Sequence, residues 1–197
     1  MSLVAWLATG LSLVYLWFAI RNKAVCFVFG IVASLFWAYE SYYAYHLVFD
    51  AMLQLFYVVM SVLGLYRWKY GGTDQAEKPI IRYTLSTHMG VIFMGIFCSG
   101  ILIFLSRYVD VISMPVLDAT TTVFLVVGTL LLVERELYSW VYLVIADLVY
   151  VYIYGAQSAW LFVATMLIYS AFGVMGFINW KKLIEKNIAI DATLSVK

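Results

Sequence analysis

Seven apolar runs separated by short polar breaks fill almost the whole chain, near residues 3–20, 24–45, 49–67, 88–106, 112–133, 137–155 and 159–179. Each approaches the roughly 20 mostly apolar residues that a helix needs to cross a hydrocarbon core. The pattern predicts seven transmembrane helices in an all-α membrane protein. One polar connection exceeds a turn, from about Lys69 to Thr87, and holds Gly71, Gly72, Thr73, Asp74, Gln75, Glu77 and Pro79. It is too short to fold as a second domain. No basic segment precedes the first run, so Met1–Trp6 does not read as a signal peptide and the first helix is expected to stay.

The runs repeat. Tyr57, Ser61, Gly64, Trp68 and Lys69 close the third, and Tyr169, Gly173, Gly176, Trp180 and Lys181 close the seventh at a shift of 112 residues. Two three-helix units in the same orientation require one extra crossing between them, which predicts a 3+1+3 arrangement. The expected divisions are a first repeat at 1–70, a cytoplasmic loop at 71–87, a linker helix at 88–107, a second repeat at 108–183 and a cytoplasmic tail at 184–197. Carriers built from parallel repeats hold their solute near the bilayer midplane, between the repeats. Trp68 and Trp180 are expected to anchor their helix ends among lipid headgroups, as are Tyr42, Tyr45 and Tyr70.

Charge orients the bundle. Arg21, Lys23, Arg67, Lys69, Lys78, Arg82, Arg135, Lys181, Lys182, Lys186 and Lys197 all fall on one side of the seven-span cut, and Arg107 alone falls opposite. Short loops keep Lys and Arg in the cytoplasm, so the N-terminus is expected outside and the C-terminus inside. Hydrophobic residues make up 65% of the chain and charged ones 12%, which excludes a soluble globular domain. A net charge of +1 argues against nucleic-acid binding. Cys26 and Cys98 lie in different runs without metal-ligand spacing and read as packing residues.

Carboxylates inside a span cost about 2.5–3.5 kcal/mol each on insertion scales, so each one marks a candidate site. Glu40 lies toward the outer end of helix two, Asp50 and Asp118 at the outer starts of helices three and five, and Asp147 well inside helix six. Asp50 and Asp118 also suit helix N-caps. No Lys or Arg lies deep in a span, so the expected cavity is acidic and favours a cation over a phosphate. Asp50, Gln54, Tyr57, Ser61, Gly64 and Trp68 step by four and three along one face of helix three. They read as a cavity lining or, alternatively, as a helix–helix contact. On helix six, Trp140, Asp147 and Tyr154 recur every seven residues, with Tyr150 one turn from the last two. Aromatic rings beside a carboxylate suit a flat cationic heterocycle. Trp140 is the expected stacking platform and Asp147 and Glu40 the charge partners. Gln54, Tyr57, Asp118, Tyr150 and Tyr169 are expected to orient the solute, and Gly64 and Gly176 to let helices approach closely.

With these residues in place, the chain resembles the PnuC family of bacterial vitamin transporters, which includes nicotinamide riboside carriers and the related PnuT thiamine carriers. The likeness rests on Asp50-Ala51 with Gln54, Gly64 with Trp68, Pro115 with Asp118-Ala119, Ser139-Trp140 with Asp147, and Gly176 with Trp180. It implies a fold like that of the SWEET sugar transporters, facilitated diffusion of an unphosphorylated vitamin across the bacterial inner membrane, no cofactor, and trapping by a cytosolic kinase. It also allows a homotrimer. The riboside carriers carry Trp-x-x-Trp on helix six, whereas Trp140 is followed here by Leu143. That departure moves the expected solute to thiamine, with nicotinamide riboside and then uncharged riboflavin as alternatives.

Rival classes lack their chemistry. There is no HExxH, GxSxG or paired-His motif for an enzyme, and His46 and His88 lie at opposite expected faces. A retinal protein needs a Lys in the last span, and 159–179 has none. SWEET-type sugar carriers place a proline in a repeated core motif, while Pro79 and Pro115 stand in a loop and at a helix start. A non-transport integral-membrane protein is the remaining alternative.

Overall fold

A computed structural model describes residues 3–43, 48–72, 76–106, 114–156, 158 and 160–194. Among the described residues the helices are α1 (Leu3–Ile20), α2 (Cys26–Tyr43), α3 (Val48–Tyr70), α4 (Leu85–Ser106), α5 (Pro115–Val133), α6 (Ser139–Ala156) and α7 (Trp160–Leu194). They contain no strand, and one isolated parallel bridge pairs Ile81 with Glu136. Helix α5 starts at Pro115, whose fixed φ and missing N–H suit a first helical position. Helix α7 continues to Leu194, so most of the expected tail is helical. Tyr45, His46, Arg107 and Lys197 lie outside the described residues, as do Thr73, Asp74 and Gln75 of the long loop.

Among the described residues, five segments are long and apolar enough to cross a membrane: α1, α4, α5, α6 and Val163–Ala189 of α7. The apolar part of α2, Cys26–Glu40, is shorter. Helix α3 carries Gln54, Arg67 and Lys69 among its apolar residues.

The chain forms two compact units. One holds Met1–Ile80, Val133–Arg135 and Asn179–Lys197, and the other Ile81–Leu132 and Glu136–Ile178. Lipid is as apolar as a leucine, so helices in a bilayer associate through close packing and hydrogen bonds, and small residues set how near they come. In the first unit α1 packs on α2 and α2 on α3. Phe27 of α2 seats its ring on Gly64 of α3, where an added Cβ would meet ring carbon at 2.3 Å. Gly30 of α2 lies against Ser61 of α3 and Tyr15 of α1. The same arrangement recurs in the second unit. Trp140 of α6 lies on Gly176 of α7, with a hypothetical Cβ 2.6 Å from the indole, and Val144 sits on Gly173. Helix α5 meets α6 where Leu143 covers Gly128, and meets α4 where Phe124 covers Gly95.

Trp68 and Trp180 do not anchor at a headgroup level. Both are fully buried, and their rings meet edge to face at 5.4 Å. The Trp180 indole N–H donates to the Ala19 carbonyl at 3.0 Å, and the Asn179 amide donates to the Ile20 carbonyl at 2.7 Å. The Asn179 bond satisfies a carbonyl at the end of α1, and the Trp180 bond adds a second donor to the Ala19 carbonyl, which also accepts from the Asn22 N–H. Tyr42 and Tyr70 are each 50% exposed, in keeping with interface positions.

Helix α1 ends in a Schellman turn. Asn22 takes φ 57°, the Lys23 N–H reaches the Phe18 carbonyl and the Asn22 N–H reaches the Ala19 carbonyl. Helix α5 ends the same way, with Arg135 at φ 61° and the Glu136 N–H on the Leu131 carbonyl. Asn tolerates this left-handed geometry, whereas for a bulky residue such as arginine it is uncommon and strained.

Candidate functional site

Of the acidic residues singled out within spans whose burial is described, Glu40 and Asp147 are the buried ones, at 3% and 8% exposure. Glu40 sits on α2 in the first unit. Asp147 stands in the middle of α6 and makes no hydrogen bond or ion pair with any described residue. A carboxylate withdrawn from water without a partner is costly, and supplying a cation recovers much of that cost.

Asp118 lies in the first turn of α5, past the N-cap that Met114 occupies, so it does not cap the helix as expected. Its Oδ1 accepts from the Tyr150 hydroxyl at 3.5 Å, and that hydroxyl also lies 3.2 Å from Thr122 Oγ1. Tyr150 stacks on Tyr154 at 5.4 Å. Asp118 and Thr122 border an open cleft of about 240 Å³ with Leu102, Leu105, Ser106, Pro115 and Ala119. The side chain of Asp50 lies outside the described residues.

The polar face of α3 divides in two. Ser61, Gly64 and Trp68 form helix contacts with α2, which was the alternative reading of the stripe. Tyr57 and Gln54, one and two turns before Ser61, are half-buried. Trp140 is 1% exposed, its indole covered by the Gly176 backbone of α7. Tyr169, two turns before Gly176, is half-buried. Within the second unit, then, Asp118 and Tyr150 are joined by a hydrogen bond, whereas Asp147 and Trp140 share a helix face without touching.

The family model for the nicotinamide mononucleotide transporter matches residues 2–182. The chain belongs to this transporter family. A crystal structure of a protein described as the vitamin B3 transporter PnuC superposes with a TM-score of 0.73 at 22% identity, covering 93% of this chain and 82% of the other. The fold is accordingly PnuC-like. No curated protein matches the sequence. The family is one of membrane transporters and not of enzymes, and this member is a multi-pass integral membrane protein.

The transporter also contains a polar cluster that reading the sequence missed. Arg135 was expected to be an ordinary loop cation, yet it is 2% exposed. Its Nε donates to Asn22 Oδ1 at 2.7 Å and its Nη2 to the Asn22 carbonyl at 3.2 Å. Nη1 reaches the carbonyls of Lys78 and Trp68, and the guanidinium lies 4.8 Å from the Trp68 ring centre. Burial pulls its pKa below the ordinary arginine value, an effect that the Glu77 carboxylate opposes. Next to it, Glu134 pairs with Arg67 and Lys78. Burial, with Arg67 and Arg135 nearby, lowers the Lys78 ammonium from its usual value. The available signal was the alternation Glu134-Arg135-Glu136 in a two-helix connection, too short to mark anything but a charged turn.

Proposed function

We propose that this transporter admits nicotinamide riboside across the bacterial inner membrane, as a facilitator whose cationic solute pairs with Asp147. The observation that carries this reading is the buried carboxylate at mid-helix with no partner among the described residues, in a chain whose family is described by a nicotinamide compound. The pyridinium ring supplies a fixed positive charge, and Trp140 and the Tyr150–Tyr154 stack supply aromatic surface on the same helix. Covered by Gly176 as it stands, Trp140 reaches the solute only when α6 and α7 part. Glu40, Gln54, Tyr57, Asp118 and Tyr169 complete the proposed set of contacts. The phosphorylated mononucleotide fits less well, because its phosphate would be repelled by acidic groups that no deep Lys or Arg offsets.

Thiamine, the solute expected from Leu143, gains nothing from the comparisons, which both point toward nicotinamide compounds. Leu143 itself rests on Gly128 of α5, so helix packing accounts for leucine at this position without any change of solute. Isothermal titration of the purified protein with nicotinamide riboside, nicotinamide mononucleotide, thiamine and riboflavin tests the reading. The riboside is expected to bind tightest, and tighter thiamine binding would restore the other assignment.

Two parallel repeats in a 3+1+3, SWEET-like order remain part of the proposal, with alternating access, an external N-terminus and a cytoplasmic C-terminus. Their support is the paired seats Phe27–Gly64 and Trp140–Gly176, the left-handed caps Asn22 and Arg135, and the buried Trp68 and Trp180. A cytosolic kinase that phosphorylates the arriving solute would keep the gradient inward. Assembly as a homotrimer is proposed on the family resemblance alone.

A further inference from the structure

Glu136 is fully buried in the connection between α5 and α6, at the start of α6. One oxygen, Oε1, accepts from the Tyr83 N–H at 3.4 Å and lies 3.6 Å from His88 Nε2. The other, Oε2, has no hydrogen-bond partner among the described residues, and neither does His88 Nε2. His88 stands in the first turn of α4, with Nδ1 held 3.2 Å from the Tyr142 hydroxyl. Its ring is boxed by Tyr83, Tyr138 and Tyr142, with centroids 6.3, 5.2 and 5.9 Å away. Two groups that can each carry a proton thus lie 3.6 Å apart, with Glu136 Oε2 and His88 Nε2 unpartnered among the described residues.

We infer that His88 and Glu136 form a buried proton-binding site that fastens the start of α4 to the start of α6. Around the pair, the segment before α4 presents Tyr83, α5 presents Phe124 against Tyr142, α6 presents Tyr138 and Tyr142, and α7 presents Phe177, which packs on Tyr138. Glu134 is taken by Arg67 and Lys78, Arg135 by Asn22, and Arg82 is exposed. Among the described residues His88 is the group placed to bring positive charge to Glu136, and a proton on the pair supplies the missing hydrogen bond. One proton shared between carboxylate and imidazole converts two misfit groups into a hydrogen-bonded pair.

The direction of the pH effect follows. Burial raises the Glu136 carboxyl above its ordinary 4.5, while the Tyr83, Tyr138 and Ser139 amides and His88 pull it back. A carboxyl raised in the folded state takes up a proton on folding, so its contribution is full below the ordinary value and is lost as pH rises through the folded value. The tie holds more firmly in acid.

Thermal unfolding of the full-length protein in detergent, followed by tryptophan fluorescence at fixed ionic strength, tests this. The wild-type midpoint is expected to fall by about 2–4 °C as pH rises from 4.5, the ordinary carboxyl value, to 8. Glu136→Gln should flatten that dependence. His88→Gln should move it to lower pH, because the shared proton loses one of its two carriers. A wild-type profile retained in Glu136→Gln, or an unmoved profile in His88→Gln, would overturn the site. If neither variant folds, amide exchange on the wild-type protein decides. After correction for intrinsic rates, the amides of Tyr83, Tyr138 and Ser139 should gain protection as pH falls, and unchanged protection rules the site out.

Discussion

Asp147→Asn is expected to weaken nicotinamide riboside binding by about 10–100-fold, the loss of a charge-assisted contact worth roughly 1.5–3 kcal/mol. The dihydro form of the riboside is the control. It keeps the ribose and carboxamide, but its ring is uncharged, so Asp147→Asn should change its affinity less than about threefold. The same variant should unfold at a higher temperature than the wild type, because an amide costs less to bury than a carboxylate that has no partner among the described residues. Lower affinity with higher stability is the pattern of a group kept for its ligand. Equal losses for both ribosides, or a drop in unfolding temperature, would place Asp147 in the scaffold instead.

Arg135 carries the second large effect. Its guanidinium satisfies the Asn22 side chain and carbonyl, the Lys78 and Trp68 carbonyls, and the face of the Trp68 ring, all of it inside the protein. Arg135→Ala removes these bonds and leaves several acceptors open, each at about 1–3 kcal/mol, so a destabilisation of at least about 3 kcal/mol is expected. Arg135→Gly removes the same bonds but relieves the left-handed backbone, and should be more stable than Arg135→Ala by about 1 kcal/mol. Thermal midpoints of the two variants separate bonding from strain. If both match the wild type, the buried guanidinium is not what holds this connection. If alanine and glycine are equal, φ 61° at Arg135 carries no strain.

These expectations show where the sequence was readable. Each helix lies close to its apolar run, because a chain that must bury every backbone polar group in lipid forms helices of membrane length, and hydropathy reports that length directly. The matching ends of the third and seventh runs were equally visible, since glycine and tryptophan seven and eleven residues past a tyrosine fall on one helix face. What each such residue does was not visible. Gly64, Gly176, Trp68 and Trp180 have the spacing of cavity, anchor and contact residues alike, and only their neighbours Phe27 and Trp140 assign them to packing. Arg135 and Glu136 looked like a solvated turn for the same reason: local sequence does not say whether a charged side chain meets water or a carbonyl.

From sequence alone came the all-helical membrane character, the helix order and the residues worth suspecting, because those depend on composition and on periods of three and four along one chain. Tertiary structure decided which acids are buried, that Trp140 is covered by a backbone, and that Arg135 and Glu136 lie inside. Those outcomes depend on which groups meet across more than 30 residues of chain, such as Trp140 with Gly176, His88 with Tyr142 or Arg135 with Asn22. Partners so far apart are chosen by packing, which no local pattern encodes.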